Sequence, residues 1–379
     1  MPSVASGGFL NTGAIGPLPR RAHAALVHTA AVELEHGRKG RAVGEATAIR
    51  RERAKRNFAR LLGADPSTIA LTHSTTEGIN IALTGLSWQP GDRLITAVTE
   101  HPAVLNPAGL LAKRFNIRIE ATRIGLPGVD PLAELEAALM PGARAVVLSH
   151  VCWTTGIVLP IRQLAEAAHE AGAVMIVDGA QSAGMVPVDV NEIGADAYAC
   201  SGQKWVCGPI GTGALHVAEK SLELFTPSFA GYLSGSPAPD GQDFAFSSGA
   251  QRFEAITLHD PSLEALSVSL EWLGSEEVGW SWAHSRIREL GLRCCEALSQ
   301  IPGVTVVTPE SAGAGLITFA VEGVPPPTVT ERLEKRNIFI RDIASPPANR
   351  ASTGFYNLDE EIDELVEAVA ELAASIGTL

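Results

Sequence analysis

The sequence predicts an α/β protein with a large domain on a mainly parallel, seven-stranded sheet and a smaller α+β domain after it. Between residues 65 and 217, short apolar runs alternate with amphipathic segments, the order that produces parallel strands joined by crossover helices. Several of the runs are continuously apolar, as expected for strands covered on both faces. A length of 379 residues with 46% apolar composition is sufficient for two domains.

The elements of the large domain follow from these runs in chain order. Its seven predicted strands are STIALTH, RLITAVT, RIEATRI, AVVLSHV, VMIVDGA, AYACS and GALHV. The helices predicted between them are TTEGINIALTGL, PAVLNPAGLLAKRF, PLAELEAALM and IRQLAEAAHEAG. Ligands of such sheets bind at the carboxyl ends of the strands, so His150, Asp178 and Lys204 lie where a site is expected.

Three parts of the chain are predicted: an N-terminal arm over 1–20, a large domain over 21–261 and a small domain over 262–379. The arm is rich in Gly and Pro, and we expect it to join the small domain or to line its cleft. The stretch 21–62 carries many Arg and Glu residues and is predicted to be a solvated helical connector. The small domain is predicted to contain the helices PSLEALSVSLEWLG, WAHSRIRELGLRCCEALSQI and LDEEIDELVEAVAELAASIG and the strands GVTVVT, GLITFAV and NIFIRDI.

The composition argues against several kinds of partner. A net charge of -13 does not suit nucleic acid or an anionic membrane, which bind basic surfaces. No apolar stretch of about eighteen residues and no basic, apolar leader is present, so we predict a cytoplasmic protein without a membrane segment. Five cysteines in a chain of this length predict reduced thiols rather than a disulfide framework. No metal site is predicted.

Asp178 and Lys204 form the first candidate pair, because each closes an apolar run. A lysine at a strand end is usually a side chain that extends to solvent, and an aspartate there is often a turn residue. Together they suit pyridoxal phosphate (PLP), which needs a Schiff-base lysine and a carboxylate beside its pyridinium nitrogen. The pair therefore predicts a PLP site.

Such a site needs a phosphate pocket and a group to cover the ring. The stretch HSTTEG follows a strand and opens a helix, where free N–H groups and the helix dipole favour an anion; an ordinary helix cap is the alternative. His101 is placed to stack on the ring and to move protons, or simply to cap the helix that Pro102 begins. Gln181 can donate to the phenolic oxygen. Arg341 and Arg350 are candidates for carboxylate binding.

The combination of STTEGIN, EHPAVLNP, SHVCWTTG, VDGAQSAG, SGQKW, RFEAIT and RASTGFYNLDEEID resembles the class V aminotransferase family of fold-type I PLP enzymes. The motifs extend from about residue 6 to 365 in the family's order and spacing. Within the family, the chain is similar to the cysteine desulfurases, selenocysteine lyases and cystine C–S lyases. The resemblance implies a fold-type I PLP-transferase fold and a homodimer.

The resemblance also implies a role for each matching residue. Lys204 matches the Schiff-base lysine, Asp178 the partner of the pyridine nitrogen, and His101 the histidine that stacks on the ring. Gln181 matches the residue that bonds the ring's O3′ atom. The implied phosphate ligands are Thr75, Thr76, Ser201 and Gln203, the last in place of the family's usual histidine.

Residues that contact the substrate and the second subunit are implied in the same way. Arg350 matches the arginine that binds the substrate carboxylate, and Arg341 is a second arginine near the substrate. Thr257 matches a threonine that reaches the phosphate of the partner subunit's cofactor, so the resemblance implies that each site is built from two chains.

Two departures from the family's pattern bear on the reaction. Desulfurases carry a persulfide-forming cysteine in a loop shortly before RAS, whereas IRDIASPPANRAS is short and has none. Trp153 occupies a position where similar desulfurases have an asparagine near the cofactor. Both departures resemble the cystine C–S lyases and place Trp153 near the substrate; core packing of Trp153 is the alternative.

Several functions stay open at this point. The first is a PLP-dependent C–S lyase that acts by β-elimination on cystine, cysteine or an S-substituted L-cysteine, giving pyruvate, ammonia and a persulfide or thiol. The second is a cysteine desulfurase or selenocysteine lyase that gives alanine. The third is an epimerase resembling isopenicillin N epimerase, or an aminotransferase. A catalytically silent cofactor-binding protein is disfavoured, because Lys204, Asp178 and Arg350 are all present.

Overall fold

The computed structural model describes residues 1–238, 240–241, 243–255 and 257–375. Their α-helices are α1 (Arg20–His36), α2 (Arg41–Leu62), α3 (Thr75–Gly85), α4 (Pro102–Phe115), α5 (Pro131–Leu139), α6 (Ile161–Glu170), α7 (Val190–Ile193), α8 (Asp260–Leu273), α9 (Trp280–Ser299), α10 (Pro326–Glu334) and α11 (Asp359–Ala374). Their strands are β1 (Gly8–Phe9), β2 (Ile69–Thr72), β3 (Arg93–Ala97), β4 (Arg118–Thr122), β5 (Ala145–Ser149), β6 (Val174–Asp178), β7 (Ala197–Ser201), β8 (Gly213–Val217), β9 (Gly235–Pro237), β10 (Phe244–Phe246), β11 (Val304–Val306), β12 (Leu316–Val321), β13 (Ile338–Phe339), β14 (Arg341–Ala344) and β15 (Pro347–Ser352). None of the helices in these ranges is both long and apolar enough to cross a membrane.

The large sheet has seven strands in the order β2-β8-β7-β6-β5-β3-β4. Strand β8 is antiparallel to both of its neighbours, and the other pairs are parallel. The prediction of a mainly parallel, seven-stranded sheet is therefore confirmed. Strands β5, β6 and β7 end side by side, and this edge carries the candidate site.

The continuously apolar strands are buried on both faces of this sheet. In β5, Val146 and Leu148 pack into one hydrophobic core, whereas Ala145 and Val147 pack into another on the opposite face. Successive side chains of a strand point to opposite faces, so a strand between two cores has no polar positions along it. This is the reason that these strands show no alternation in the sequence.

The smaller C-terminal sheet is antiparallel, in the order β11-β12-β15-β14, and it has its own core with α9, α10 and α11. The run NIFIRDI, predicted as one strand, is divided at Ile340 into β13 and β14. Strand β15 and helix α10 were not predicted as elements. The predicted division of the chain at 20/21 and 261/262 stays a prediction.

The N-terminal arm connects the two sheets. Its strand β1 pairs in parallel with β13, and the carbonyl of Leu10 accepts a hydrogen bond from the backbone N–H of Ser352 at 2.7 Å. Further along, the carbonyl of Gly13 accepts a hydrogen bond from Gln181 Nε2 at 2.9 Å. The arm therefore both joins the small sheet and reaches the edge of the large one.

The prediction of a solvated connector over 21–62 is wrong for helix α2. Ala54, Phe58 and Leu62 are fully buried in the core, one helical turn apart. Arg51 and Lys55 are buried with them because both form ion pairs with the buried Glu254. The charged composition of α2 suggested a solvated helix, because the carboxylate that pairs with Arg51 and Lys55, that of Glu254, lies some 200 residues later in the chain.

Candidate active site

A cavity of about 220 Å³ lies at the carboxyl ends of β5, β6 and β7. All of the predicted site residues except Thr257 and His150 line it, namely Thr75, Thr76, His101, Trp153, Asp178, Gln181, Ser201, Gln203, Lys204, Arg341 and Arg350. His150, expected at the same strand ends, is buried and lines a different cavity with Leu159 and Pro187. Its remaining lining residues are Gly13 and Ala14 of the N-terminal arm, Ser74 of the stretch HSTTEG, and four that were not predicted, Ala103, Ser149, Val151 and Ala180. Most of these are small side chains or parts of loops, for which the sequence offers little signal beyond the Gly-rich arm.

Lys204 and Asp178 occupy the floor of this cavity. Asp178 ends β6, and its Oδ1 atom accepts a hydrogen bond from the backbone N–H of Ala180 at 2.8 Å. Burial raises the pKa of Asp178, and the charge of Lys204 opposes that rise. Burial lowers the pKa of Lys204 to about 8, partly offset by Asp178. The lysine is therefore much closer to its neutral, nucleophilic form than a solvated lysine is.

The phosphate corner lies where β2 leads into α3. Ser74 caps α3, its Oγ accepting from the backbone N–H of Glu77 at 3.2 Å, and the first helical residue is Thr75. Among the described residues, the buried hydroxyl oxygens Thr75 Oγ1 and Ser201 Oγ, both able to donate, have no hydrogen-bond partner. Buried polar atoms of native proteins are normally paired, so this group beside a helix N-terminus fits an anion such as the phosphate of PLP.

His101 caps α4, as one of the two interpretations from the sequence predicts, and it also lines the cavity; its stacking on a cofactor ring stays a prediction. Its Nδ1 atom accepts a hydrogen bond from the backbone N–H of Ala103 at 3.0 Å. Burial, together with the charges of Lys204, Arg341 and Arg350, lowers the pKa of His101 to about 4. The ring is therefore neutral at pH 7 with its proton on Nε2, which suits stacking on a cofactor ring better than it suits acid catalysis.

Arg350 is a buried cation on the substrate side of the cavity. Its Nη1 atom donates to the carbonyl of Trp153 at 2.9 Å. Its Nε and Nη2 atoms have no partner within the described ranges. Burial lowers the pKa of Arg350 to about 9, with a further contribution from Arg341. A buried guanidinium with two free donors fits a carboxylate ligand.

The Trp153 ring lies close to both His101 and Arg341. Its ring stands nearly perpendicular to the His101 ring, with the centroids 4.9 Å apart. The guanidinium carbon of Arg341 lies 6.0 Å from the centroid of the indole ring, at cation–π distance. Trp153 is only partly buried and lines the cavity, so it is not a core residue.

The N-terminal arm holds two segments of the site. Gln181 Nε2 donates to the Gly13 carbonyl, while its Oε1 accepts from Trp205 Nε1 at 2.9 Å. The backbone N–H of Gly16 donates to the carbonyl of Gln203 at 2.7 Å. The Gln181 amide keeps one free hydrogen on Nε2, which is the donor available for the predicted bond to the cofactor's phenolic oxygen.

Comparison with known proteins agrees with this geometry. The pattern of the class-V aminotransferase family matches residues 17–365. The chain belongs to this family. It is 31% identical to isopenicillin N epimerase from Streptomyces clavuligerus, over 96% of this chain and 94% of that protein. It is 32% identical to the cysteine desulfurase CsdA from Escherichia coli, over 84% of this chain and 82% of that protein.

The solved structure of the cystine C–S lyase C-DES with its product cysteine persulfide superimposes with a TM-score of 0.93 at 29% identity, covering 98% of this chain and 99% of that one. A lysine-to-alanine variant of C-DES carries glycine covalently linked to its PLP cofactor. These matches confirm the predicted family and the fold-type I PLP-transferase fold.

Thr257 lies outside the cavity in this class-V chain. It is exposed and lines a separate cavity of about 690 Å³, together with residues of α2 and with Tyr232. The chain therefore does not bring Thr257 to its own phosphate corner. The role implied for it, contact with the partner subunit's cofactor, stays a prediction.

None of the five cysteines, all of which lie in the described ranges, lines the cavity of this class-V chain. Each is buried: Cys152, Cys200, Cys207, Cys294 and Cys295. Burial raises the pKa of Cys152, Cys200, Cys207 and Cys294 to about 12. A thiol with so high a pKa holds almost no thiolate at neutral pH and is a poor nucleophile.

Glu100 is a buried carboxyl group beside the site that sequence reasoning missed. Its two carboxylate oxygens accept hydrogen bonds from the Ser149 backbone N–H at 2.7 Å and from Ser149 Oγ at 2.6 Å. Burial raises the pKa of Glu100 to about 8, and the nearby Asp178 contributes. Because Ser149 pairs with Asp178 across β5 and β6, Glu100 ties the loop that carries His101 to the floor of the cavity. Its position directly before His101 in the motif EHPAVLNP was the available signal.

Proposed function

We propose that this class-V protein is a PLP-dependent carbon–sulfur lyase that acts by β-elimination on cystine or another S-substituted L-cysteine. The observation that carries the proposal is the content of the cavity. It holds a lysine, an aspartate and a free guanidinium, while every cysteine of the chain is buried elsewhere. Elimination needs the first three groups and no cysteine nucleophile. The match to C-DES supports the same reaction.

PLP is the cofactor, and the lining residues fit it. Lys204 would hold its carbonyl carbon, Asp178 its ring nitrogen, and Gln181 its phenolic oxygen. The donors for its phosphate are Thr75, Thr76, Ser201 and Gln203. When bound, PLP supplies an electron sink for negative charge at the substrate α-carbon.

Arg350 and Lys204 would then have different roles in the elimination. The free Nε and Nη2 atoms of Arg350 bind the substrate α-carboxylate and so fix the orientation of the α-carbon. Lys204 Nζ, with its lowered pKa, accepts the α-proton. The Cβ–S bond breaks and the sulfur leaves as a thiol or a persulfide. Hydrolysis of the three-carbon remainder gives pyruvate and ammonia.

Two alternatives have specific support. The similarity to CsdA favours a cysteine desulfurase that gives alanine, but desulfurization by persulfide transfer requires a reactive cysteine, and the five cysteines are buried. The similarity to isopenicillin N epimerase over nearly the whole chain favours an epimerase, which would return the α-proton without breaking the Cβ–S bond.

Product analysis separates these reactions. The holoenzyme is incubated with cystine, cysteine and S-alkyl cysteines in D₂O. Pyruvate and ammonia in equal amounts support the lyase. Alanine with sulfide would establish the desulfurase. Deuterium at the α-carbon without loss of the side chain would establish the epimerase and contradict our proposal.

We also propose a homodimer in which Thr257 completes the partner's phosphate site, in the cytoplasm. The exposed side chain of Tyr232 lines the same cavity as Thr257, which supports a subunit contact at this face. Mixing Lys204→Ala and Thr257→Ala subunits tests this arrangement. Each variant alone is expected to be impaired, whereas the mixed dimer regains one intact site made from one Lys204 and one Thr257. No recovery after subunit exchange would rule out the shared site.

A further inference from the structure

Gln181 is held on two sides by groups with opposite hydrogen-bonding capacity. Its Oε1 atom accepts from the indole Nε1 of Trp205 at 2.9 Å, and its Nε2 atom donates to the carbonyl of Gly13 at 2.9 Å. An indole N–H can only donate, and a carbonyl can only accept. The reversed amide would place a donor against a donor and an oxygen against an oxygen. The two neighbours therefore select one orientation of the Gln181 amide.

The selected orientation decides which atom of the amide faces the cavity. Gln181 and Gly13 line the cavity, whereas Trp205 is fully buried in the core. The Nε2 end of the amide therefore lies on the cavity side, and the Oε1 end lies on the core side. Gly13 binds one of the two Nε2 hydrogens, so the second remains for an acceptor in the cavity. The reversed amide would present an oxygen there, which repels an anionic ligand atom.

The indole of Trp205 is itself fixed by its packing. A Cβ atom on Gly315 would lie 2.9 Å from the indole Cη2 atom, and one on Gly184 would lie 3.2 Å from Trp205 Cβ. Both glycines therefore allow the backbone to lie directly against this side chain. The backbone N–H of Cys207 donates to the carbonyl of Lys204 at 3.0 Å and closes a tight turn that contains Trp205. The indole N–H thus has a defined position in the folded chain.

The partner of this indole N–H is unusual for a buried tryptophan. Most side-chain hydrogen bonds go to backbone or water, and Trp88, which is also buried, donates to the backbone carbonyl of Leu83 at 2.7 Å. Trp205 instead donates to a side chain of the cavity wall, and its own backbone directly follows Lys204. One residue therefore connects the predicted Schiff-base lysine with the predicted donor to the cofactor's phenolic oxygen.

We propose that Trp205 is a positioning residue of the cofactor site, whose indole N–H holds the Gln181 amide with an N–H, and not its oxygen, toward the phenolic oxygen of PLP. The inference rests on the role proposed for Gln181, and it holds for a lyase, a desulfurase or an epimerase alike. An N–H donated to the phenolic oxygen stabilises its negative charge. That oxygen then holds a shared proton less strongly, so the linkage between Lys204 and the cofactor loses its proton at a lower pH.

The test follows the visible absorption of the holoenzyme as a function of pH, which reports where the lysine–cofactor linkage loses its proton. Trp205→Phe removes the indole N–H and frees the amide to rotate, so we expect the midpoint to rise by about one pH unit. Gln181→Met removes the amide itself and should raise the midpoint at least as far. In the double variant, Trp205→Phe should add no further shift, because no amide is left to orient.

Trp88→Phe is the matched control, since it removes an indole N–H from a buried tryptophan away from the described cavity lining. This control is expected to keep the wild-type midpoint. Replacement of Trp205 by 3-benzothienylalanine removes the N–H while the ring keeps nearly the same shape, so the test does not depend on the folding of Trp205→Phe. It should give the same rise. A shift that persists in the Gln181→Met background would overturn the inference, because Trp205 would then act through packing.

The remaining outcomes separate the inference from the proposals around it. A shift in Gln181→Met without one in the benzothienylalanine variant would refute the role of Trp205 alone. A midpoint that Gln181→Met leaves unchanged would refute the role of Gln181 and the inference together. Neither result depends on which product forms, so product analysis remains an independent test of the proposed lyase.

Discussion

Arg51 and Arg350 are both buried arginines, but their surroundings differ in one respect. Arg51 forms an ion pair with Glu254, which also pairs with Lys55 and accepts a hydrogen bond from the backbone N–H of Leu71. Arg350 has one carbonyl partner and two free donors. The first arrangement is complete within the fold, whereas the second is complete only with a ligand.

The comparison distinguishes buried charges that serve stability from those that serve binding. A buried ion pair that loses one member leaves an uncompensated charge, which is strongly destabilising. A buried cation without an acidic partner already carries that cost in the free protein, so its removal should cost little stability and much function. Identical substitutions at the two positions test this distinction.

The largest effect is expected from Arg350→Met. Loss of the free guanidinium fork should lower kcat/KM by about 10³-fold, on the order of two charge-assisted hydrogen bonds to the α-carboxylate. The thermal midpoint should stay the same or rise, because an unpaired buried cation is removed. Steady-state kinetics and differential scanning calorimetry measure the two quantities. A large fall in the thermal midpoint would show that Arg350 is structural.

Arg51→Met should show the opposite pattern. The substitution leaves Glu254 buried with Lys55 alone, so we expect the free energy of unfolding to fall by about 3 kcal/mol. The activity per folded molecule should remain near the wild-type value. Denaturant titration and active-site counting check these expectations. A loss of kcat in fully folded protein would contradict the conclusion that Arg51 serves stability alone.

A smaller effect is expected on the rate at which the apoenzyme captures PLP. The amine of Lys204 must be neutral to attack the cofactor's carbonyl, and its pKa is lowered to about 8. The neutral fraction, and with it the rate, should rise roughly 10-fold between pH 7 and pH 9 and level off above. Stopped-flow absorbance follows the capture. A rate that keeps rising through pH 10 would indicate an ordinary, solvated lysine.

A last effect, on the pH dependence of stability, concerns Glu100. Its pKa is raised from 4.5 to about 8 in the folded protein, so between these values the folded state binds more protons than the unfolded state. The free energy of unfolding should therefore fall as the pH rises from 5 to 8. In urea titrations over this pH range, the free energy of unfolding of Glu100→Gln should fall less steeply than that of the wild type. The exposed Glu334→Gln serves as control, and identical slopes for the wild type and Glu100→Gln would contradict the prediction.

Much of the large domain was predictable because its signals are local. Most of the seven strands are marked in the sequence by a short, mainly apolar run, whereas the edge strand β4, RIEAT, is largely exposed. Helix α2 was not predictable in this way, since the burial of Arg51 and Lys55 depends on a distant glutamate. Strand β15, PANRAS, has adjacent polar residues rather than an alternating pattern, yet all but its first residue are buried. Asn349 is buried because it donates a hydrogen bond to the Pro326 carbonyl, and Arg350 because it lines the cavity.

The sequence by itself determined the family, the sheet, the position of Lys204 and Asp178 at one edge of that sheet, and the caps of α3 and α4, because strand ends and helix starts are encoded within a few neighbouring residues. Only the tertiary structure decided which distant groups meet. It placed the arm against Gln181, Arg350 under Trp153 and Glu100 against Ser149. It also buried every cysteine away from the cavity. These contacts depend on how separate elements pack, and no local pattern of residues specifies them.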